Sequence, residues 1–185
     1  MARSPLHLTI VAAAAIAAGL LAPVSGAFAQ DTESRMSGLA LSGDEPIQIE
    51  SDLLQINEET SQATFTGNVK VVQGDTLLQA GEMIVNYTND GGGSVSSGTA
   101  DIREIELYKK VFIQSGTQTA TADTGNFNML DEVLVLTGEK VVLTDADNIF
   151  IGCKLTVQMK NGQAKLDSCG RRVMIQLDPK SRPKQ

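Results

Sequence analysis

From Pro46 onward, the sequence alternates short stretches of period-two hydrophobicity with turn residues, and none of it shows the 3.6-residue period of an amphipathic helix. The stretch QATFTGNVKVVQG, from Gln62 to Gly74, is typical, because Phe65, Val69 and Val71 share one face of the strand. It contains no acid, histidine or cysteine that could do chemistry. Strands that recur without intervening helices predict an all-β sandwich, barrel or solenoid.

Twelve segments have this strand pattern, and residues typical of turns separate them. They are Ile47 to Ser51, Leu53 to Asn57, Gln62 to Val72, Thr76 to Tyr87, Ser96 to Tyr108, Val111 to Gln114, Thr117 to Met129, Glu132 to Thr137, Lys140 to Thr144, Asn148 to Met159, Gln163 to Ser168 and Arg172 to Leu177. The polar segments 30–45 and 178–185 flank them and are expected to be a disordered linker and a disordered tail.

An internal repeat runs through these strands. Similar segments begin at Phe65 and at Leu136, and a weaker copy begins at Tyr108. The alignment superimposes two pairs of glycines, Gly67 on Gly138 and Gly81 on Gly152. Each copy predicts a strand-turn-strand unit that shares one core with its neighbours, and each glycine predicts a bulge or a close backbone approach. The alternative is chance similarity among β-rich segments, which the shared glycines disfavour.

The first 29 residues have the pattern of a cleaved secretory signal. Arg3 precedes an apolar run from about Leu8 to Ala22, and Ala27-Phe28-Ala29 provides a small-x-small cleavage site. The run is shorter than the roughly 20 residues that span a bilayer as a helix. We therefore expect a mature chain outside the cytoplasm that begins near Gln30, the alternative being an uncleaved N-terminal anchor.

Cleavage of the signal leaves the mature chain without histidine, because His7 is the only histidine in the sequence. General acid-base catalysis, nucleophile pairs and zinc sites rely on histidine or on several cysteines. We therefore predict no enzyme, no metal site and no other cofactor. The net charge of −7 becomes −8 when Arg3 leaves with the signal, and an acidic surface argues against nucleic acid as a partner.

Two further motifs are better interpreted structurally. Asp145 and Asp147 have the D-x-D spacing that opens a calcium loop, but Phe150 stands at the sixth position, where glycine is required. A hairpin turn is the better interpretation. Arg171-Arg172 is compatible with an anionic head group, although a solvated strand end explains the pair more simply.

The two cysteines, Cys153 and Cys169, are expected to form a disulfide outside the cytoplasm. A three-residue loop at 160–162 makes Met159 face Gln163 and places the two cysteines opposite each other. The alternative is a turn shifted by one residue, which places them diagonally.

The two ends of the strand region are expected to be sheet edges. The first strand begins after Pro46, and the last ends before Pro179. Unpaired edge groups are a template for strand addition, so we expect the chain to associate with itself or with related domains through these edges.

The interior is predicted to be aliphatic and deformable, because only 4 % of the residues are aromatic and the chain has no tryptophan. The candidate lining residues fall on the apolar phase of the alternating strands. They are Ile49, Phe65, Val69, Val71, Val85, Val111, Ile113, Ile151, Leu155 and Val157. Core packing predicts the same pattern, so periodicity alone does not separate a binding interior from a solid one.

Four segments carry a family signature: PIQIESD from Pro46, ATFTGNVKV from Ala63 with Gln73-Gly74, Leu78-Gln79-Ala80, and Ile84-Val85-Asn86-Tyr87. With the secretory signal, they resemble the LptA family of lipopolysaccharide export proteins, also called the OstA-like or organic solvent tolerance family. The resemblance runs from Pro46 to about Met159. Gly81 stands where the family usually has Asp, although Ala122-Asp123 restores that pair in the second unit, and the region from Ser94 to Glu106 is longer than usual. These departures leave open LptA itself or a sister protein with the same domain.

This resemblance implies a twisted, partly open jelly roll of antiparallel strands over residues 46–177. Its interior would carry the acyl chains of lipid A across the periplasm, and the candidate lining residues would contact them. The implied partners are lipopolysaccharide, LptC at the inner membrane, LptD at the outer membrane, and further copies of the chain joined head to tail. Two alternatives are an envelope adaptor with a dry core, which docks through its sheet edges only, and a secreted lipid hydrolase, which the missing histidine opposes.

Overall fold

The computed structural model describes residues 46–88 and 101–179, and every structural statement below refers to this part of the chain. Ten strands form in it: β1 (Gln48–Glu50), β2 (Leu53–Asn57), β3 (Gln62–Gln73), β4 (Thr76–Thr88), β5 (Asp101–Ser115), β6 (Gln118–Asn128), β7 (Val133–Asp145), β8 (Asn148–Gln158), β9 (Gln163–Asp167) and β10 (Met174–Gln176). The prediction of an all-β domain is confirmed. The predicted signal and linker, and all of the predicted tail beyond Pro179, lie outside the described residues.

All ten strands belong to one antiparallel sheet, in the order β1-β3-β4-β5-β6-β7-β8-β10. Strands β3 to β8 are successive hairpin neighbours. At each end of the sheet, two short strands pair with one long strand. Strands β1 and β2 pair with different halves of β3, and β10 and β9 pair with different halves of β8. The first and last of the described strands do not pair with each other, so the sheet is not closed into a barrel. This confirms the predicted open antiparallel jelly roll.

A line of bulges crosses the sheet, and we call it the crease. Each pair of neighbours from β3/β4 to β7/β8 shifts register at the same level, beginning between Thr66 and Val69 and ending between Thr137 and Val141. A bulge bends its strand and increases the local twist. Because the bulges lie side by side, the whole sheet bends along one line.

The bend brings the two halves of the sheet together, so that one face of the sheet packs against itself. Ala63 and Phe65 before the crease, and Val69 and Val71 after it, all face inward and are no more than 6 % exposed. No helix among the described residues covers this face. Near-complete burial on both sides of the crease therefore requires the two halves of the sheet to fold over each other.

The repeated glycines lie at the crease, as the repeat predicts. A Cβ atom on Gly138 would lie 2.7 Å from a carboxylate oxygen of Asp123, which accepts a hydrogen bond from the backbone N–H of Glu139 at 2.8 Å. At the other end of the sheet, the carboxylate of Asp52 occupies the corresponding space over Gly67. The carboxylate of Asp52 accepts a hydrogen bond from the Asn68 side chain at 2.9 Å, and the backbone N–H of Asp52 donates to the carbonyl of Gly67 at 2.9 Å. In each case an aspartate lies against the bulge, and only glycine leaves room for it.

At Gly81, where the family usually has aspartate, the arrangement is reversed. Lys109 and Lys110 on β5 have φ angles of 64° and 68°, a left-handed conformation that bulky residues rarely adopt. The Cβ of Lys109 would be 2.7 Å from a Cβ on residue 81, and its Nζ lies 2.5 Å from Glu82. The lysine side chain thus occupies the space that glycine leaves, so the crease continues through this departure from the family pattern.

Two of the predicted strand breaks were wrong. The chain continues through Lys109-Lys110 as the single strand β5, and through Gly138-Glu139 as the single strand β7. Both positions are bulges, which interrupt the pairing without ending the strand. At the start of the predicted tail, the backbone N–H of Asp178 donates to Asn148 Oδ1 at 3.2 Å.

Cys153 and Cys169 form the disulfide that the sequence predicts, with Cα atoms 5.9 Å apart. The predicted register of the hairpin was wrong by one residue, since Gln158 rather than Met159 pairs with Gln163, and the loop is 159–162. The cysteines are therefore diagonal, as in the alternative register. Pairing of β9 ends at Asp167, and Cys169 has a φ of 47°, so the chain has already left the strand where the bond forms.

Candidate functional site

The inward face holds a continuous apolar cluster that spans the crease. Most of the predicted lining residues belong to it, and each of these is at most 6 % exposed: Phe65, Val69, Val71, Val85, Val111, Ile113, Leu155 and Val157. They come from β3, β4, β5 and β8. The structure thus brings them together, although their contact with a lipid stays a prediction.

Ile49 lies on the inward face but outside this cluster. It pairs with the buried Val71, so both side chains point to the same side of the sheet. Strand β1 is an edge strand, and Ile49 remains 37 % exposed. Its position is at the rim of the interior.

Ile151 faces the opposite way from the prediction. It pairs with Val142 on β7, whereas the flanking Val141 and Leu143 are the buried, inward residues. Three residues of β7 bulge opposite Cys153 alone, and β8 changes phase there. The alternation along β8 is unbroken in the sequence, so only the neighbouring strand reveals the change.

Sequence reasoning missed several of the largest buried side chains. These residues are at most 2 % exposed: Met83, Leu107, Leu134, Leu136 and Leu143. Their strands alternate in the sequence, so the period-two signal was present for them. Which of the alternating side chains face inward on each side of a bulge, however, is set by pairing with the next strand.

The inward face stays apolar and open where it reaches both edges of the sheet. At one edge, Leu54 pairs with Phe65 and Ile56 pairs with Ala63, yet they are 46 % and 37 % exposed. At the other edge, Ile175 pairs with Phe150, which packs against the core, and is 55 % exposed. Such contiguous exposed apolar surface is typical of a binding site.

Polar side chains border the interior at one end, near the β3-β4 and β5-β6 turns. Gln73, Thr76 and Gln118 are buried there, and the Thr76 hydroxyl donates to Ser115 Oγ at 3.2 Å. Among the described groups, Gln118 Oε1 finds no donor. The interior therefore has an apolar body and a polar end, as an amphiphilic ligand requires.

The opposite, outward face carries a row of hydrogen-bonded polar residues. Gln62 donates to Asn86 at 3.0 Å, Asn86 donates to Glu106 at 2.9 Å, and the Tyr108 hydroxyl also donates to Glu106. The hydrogen bond to Glu106, followed by desolvation, raises the pKa of Tyr108. The row joins three strands and marks this face as the one that meets solvent.

The other tyrosine, Tyr87, is buried and reaches a carboxylate in the β2-β3 turn. Its hydroxyl donates to Glu58 Oε2 at 3.0 Å. Desolvation, followed by the hydrogen bond to Glu58 and the negative charge of that residue, raises the pKa of Tyr87. Both tyrosine pKa values are raised, further above neutral pH, so both hydroxyls remain protonated donors.

Residues 46–88 and 101–179 contain no group of three or more His, Cys, Asp or Glu side chains arranged to hold a metal ion. No helix in the same residues is long and apolar enough to cross a membrane. What these residues form is an apolar interior that is open at both edges of the sheet.

Comparisons with known proteins agree with this geometry. The profile of the LptA/(LptD N-terminal domain) LPS transport protein family matches residues 48–163. An uncharacterized protein of Rhizobium meliloti (strain 1021) is 56 % identical over 98 % of both chains. The lipopolysaccharide export system protein LptA of Escherichia coli (strain K12) is 28 % identical, over 74 % of this chain and 72 % of its own. The crystal structure of LptH, the LptA-homologous periplasmic component of the lipopolysaccharide transport device of Pseudomonas aeruginosa, superimposes with a TM-score of 0.60 at 16 % identity, covering 73 % of this chain and 96 % of that one.

Proposed function

Because this chain belongs to the LptA/LptD N-terminal domain family of lipopolysaccharide transport proteins, we propose that it is a periplasmic bridge that carries lipopolysaccharide from the inner to the outer membrane. The secretory pattern of the first 29 residues supports export, and the relative from Pseudomonas aeruginosa is itself described as periplasmic. In this proposal, the acyl chains of lipid A lie against the inward face.

The apolar inward face that opens at both edges is the observation that carries this proposal. The rim residues Ile49, Leu54 and Ile175 are each at least 37 % exposed, although they point to the side that is buried in the centre. An acyl chain placed along them recovers about 0.8 kcal/mol per buried methylene. A chain of lipid can thus continue from one domain into the next.

Lipid enters a packed interior only if the two halves of the sheet separate. Val69 on β3 and Val111 on β5 both lie beside the crease, with β4 between their strands, and they are 1 % and 2 % exposed. The sheet is open, so its halves can part by a change of angle at the crease while the strand ladders remain paired. Aliphatic side chains make this opening easier, because they repack against hydrocarbon as readily as against each other.

Photo-crosslinking at two adjacent leucines tests which face meets lipid. Leu53 and Leu54 are both on β2 and are 50 % and 46 % exposed, so each tolerates a bulky photoreactive residue. Leu54 shares the inward face with Phe65, whereas Leu53 pairs with Thr66 and points outward. We expect crosslinking in living cells to capture lipopolysaccharide at least about tenfold more strongly from position 54 than from position 53.

Equal labelling at both leucines would indicate surface adsorption and contradict the proposal. Absence of labelling at Leu54, Ile49 and Ile175 would favour the alternative of an envelope adaptor that docks through its edges around a dry core. The closed packing of the centre is the observation that supports this alternative, because Leu107 and Leu136 are both 0 % exposed.

The edges are also the proposed docking surfaces for LptC, for LptD and for further copies of the chain. Both edges are apolar, and their charges are opposite. Residues 46–62 contain Glu50, Asp52, Glu58 and Glu59 with no Lys or Arg, whereas residues 148–179 contain five Lys and Arg against two Asp. Head-to-tail addition of strands pairs unlike charges and satisfies the unpaired backbone groups of both edges.

Substitutions at the C-terminal edge, in β10 and just before it, test this docking. We expect proline at Ile175 or Val173, and glutamate at Ile175, to weaken concentration-dependent assembly by at least about tenfold while leaving the domain folded. The two residues are 55 % and 38 % exposed, so their loss disturbs the edge more than the core. Sedimentation velocity over a range of concentrations measures the assembly.

The matched control for this experiment is Leu130→Glu. Leu130 is 72 % exposed but lies in the turn between β6 and β7, away from both edges. Assembly that persists unchanged in every variant at the C-terminal edge would show that this edge is not the joint.

A further inference from the structure

A cavity of about 370 Å³ lies beside β8, and none of the residues that line it belongs to the buried apolar cluster. Its walls are the β7 bulge, with Glu139 and Lys140, and the segment after β9, with Arg171 and Arg172. The disulfide holds this segment against β8, and the carboxylate of Asp123 holds the bulge. Both walls are therefore anchored, and the volume lies in the range of small-ligand sites.

The charge of this cavity is opposite to that of the protein. Three cations and one carboxylate line it, on a chain whose net charge is −7. Glu139 lies 3.6 Å from Arg171. In the described part of the chain, neither Lys140 nor Arg172 takes part in an ion pair. Two positive charges from two separate elements thus remain available to one ligand.

The floor of the cavity is apolar. Ile151, Gly152 and Cys153 form it, with the side chain of Ile151 on the outward face of β8. Gly152 is required there by the close approach of β9, because a Cβ atom on it would lie 2.6 Å from the carbonyl oxygen of Asp167. Cations above an apolar floor suit an anion that is attached to hydrocarbon.

We propose that this cavity binds a phosphate monoester, with Lys140 and Arg172 donating charge-assisted hydrogen bonds to its oxygens and Ile151 contacting the adjoining hydrocarbon. Guanidinium and ammonium groups are the side chains that recognise phosphate, and Arg does so bidentately. The phosphate belongs either to a lipid head group or to free phosphate. The first source rests on the lipid-carrying function proposed above.

A second basic cavity, near β3 and β5, differs because most of its cations are already in ion pairs. Lys70, Lys109 and Lys110 line it together with Glu50. Lys70 lies 3.6 Å from Glu50, and Lys109 lies 2.5 Å from Glu82. Two of its three charges are thus already paired, which makes this region a suitable source of control substitutions.

Titration of the mature protein with dodecyl phosphate below its micelle concentration, with inorganic phosphate and with dodecanol tests the site. Backbone amide NMR shifts of residues 138–141 and 168–172 report binding. We expect the double variant Lys140→Gln/Arg172→Gln to bind dodecyl phosphate at least about tenfold more weakly than the unmodified protein. The double variant Lys70→Gln/Lys110→Gln removes the same charge from the second basic cavity and is expected to bind as the unmodified protein does.

Tighter binding of dodecyl phosphate than of inorganic phosphate identifies a lipid head group as the source, and equal binding identifies free phosphate. Equal losses in both double variants, or no loss in either, would overturn the site. So would a cavity variant that binds phosphate normally but loses self-assembly, because its cations would then serve the acidic edge of a second copy. Capture of lipopolysaccharide at Leu54 is measured separately, so failure of the transport function and failure of this site remain distinguishable.

Discussion

Replacing Leu107 with alanine is expected to lower the free energy of unfolding by about 3–5 kcal/mol. Leu107 is 0 % exposed and lies at the centre of the sheet on β5. Its Cδ1 occupies space beside Gly125, 3.1 Å from where a Cβ would be. The glycine has no side chain that could move into the cavity left by the substitution, so the cost lies toward the upper end of the usual range.

Urea unfolding measures this effect as a lower midpoint at an unchanged slope. The control is the same substitution at Leu130, which is 72 % exposed and is expected to change stability by less than about 0.5 kcal/mol. A loss below about 1 kcal/mol at Leu107 would mean that the halves of the sheet are already apart in solution. That outcome would contradict the packed interior while favouring a preformed lipid slot.

Removing the disulfide with the double variant Cys153→Ala/Cys169→Ala is expected to lower the free energy of unfolding by about 2–4 kcal/mol. The two cysteines are 16 residues apart, and closing a loop of about this length restricts the unfolded chain by about 3 kcal/mol. Among the strands that the structure describes, β9 and β10 each pair with β8 alone. We therefore expect faster hydrogen exchange in 163–176 in addition to the lower stability.

Reduction of the unmodified protein is the matched comparison, because it breaks the same bond without changing either side chain to alanine. We expect reductant to lower its stability to about that of the double variant and to leave the double variant unaffected. Thiol mapping of protein taken from the periplasm under non-reducing conditions is an independent check. Two free thiols there would contradict the bond in the native protein.

Most of the strands and turns could be predicted from the sequence because each has a local cause, whereas the bulge at Lys109-Lys110 has no glycine and was mistaken for a strand end. Alternation within a few residues predicts a strand, and glycines such as Gly67 and Gly138 predict a bulge without reference to any partner. The same signal predicts the inward orientation of most candidate lining residues, and Phe65, Val69 and Val71 are indeed buried on the inward face. The segments between Pro46 and Tyr87 were also sufficient to suggest the family.

Only the tertiary structure decided the properties that depend on a neighbouring strand. Ile151 continues an unbroken alternation, but a bulge across the ladder in β7 turns it to the outward face. The register of the β8-β9 hairpin depends on a single residue of loop length, which shifts every pair by one position. Ile49 has the inward orientation of a core residue and stays exposed because no further strand among residues 46–88 and 101–179 covers β1. The sequence determined by itself most of the strand segments and the alternation of their side chains, since those are properties of a few consecutive residues. The face to which a side chain points after a bulge, the register and the burial are properties of pairs of strands, and they exist only once the sheet has formed.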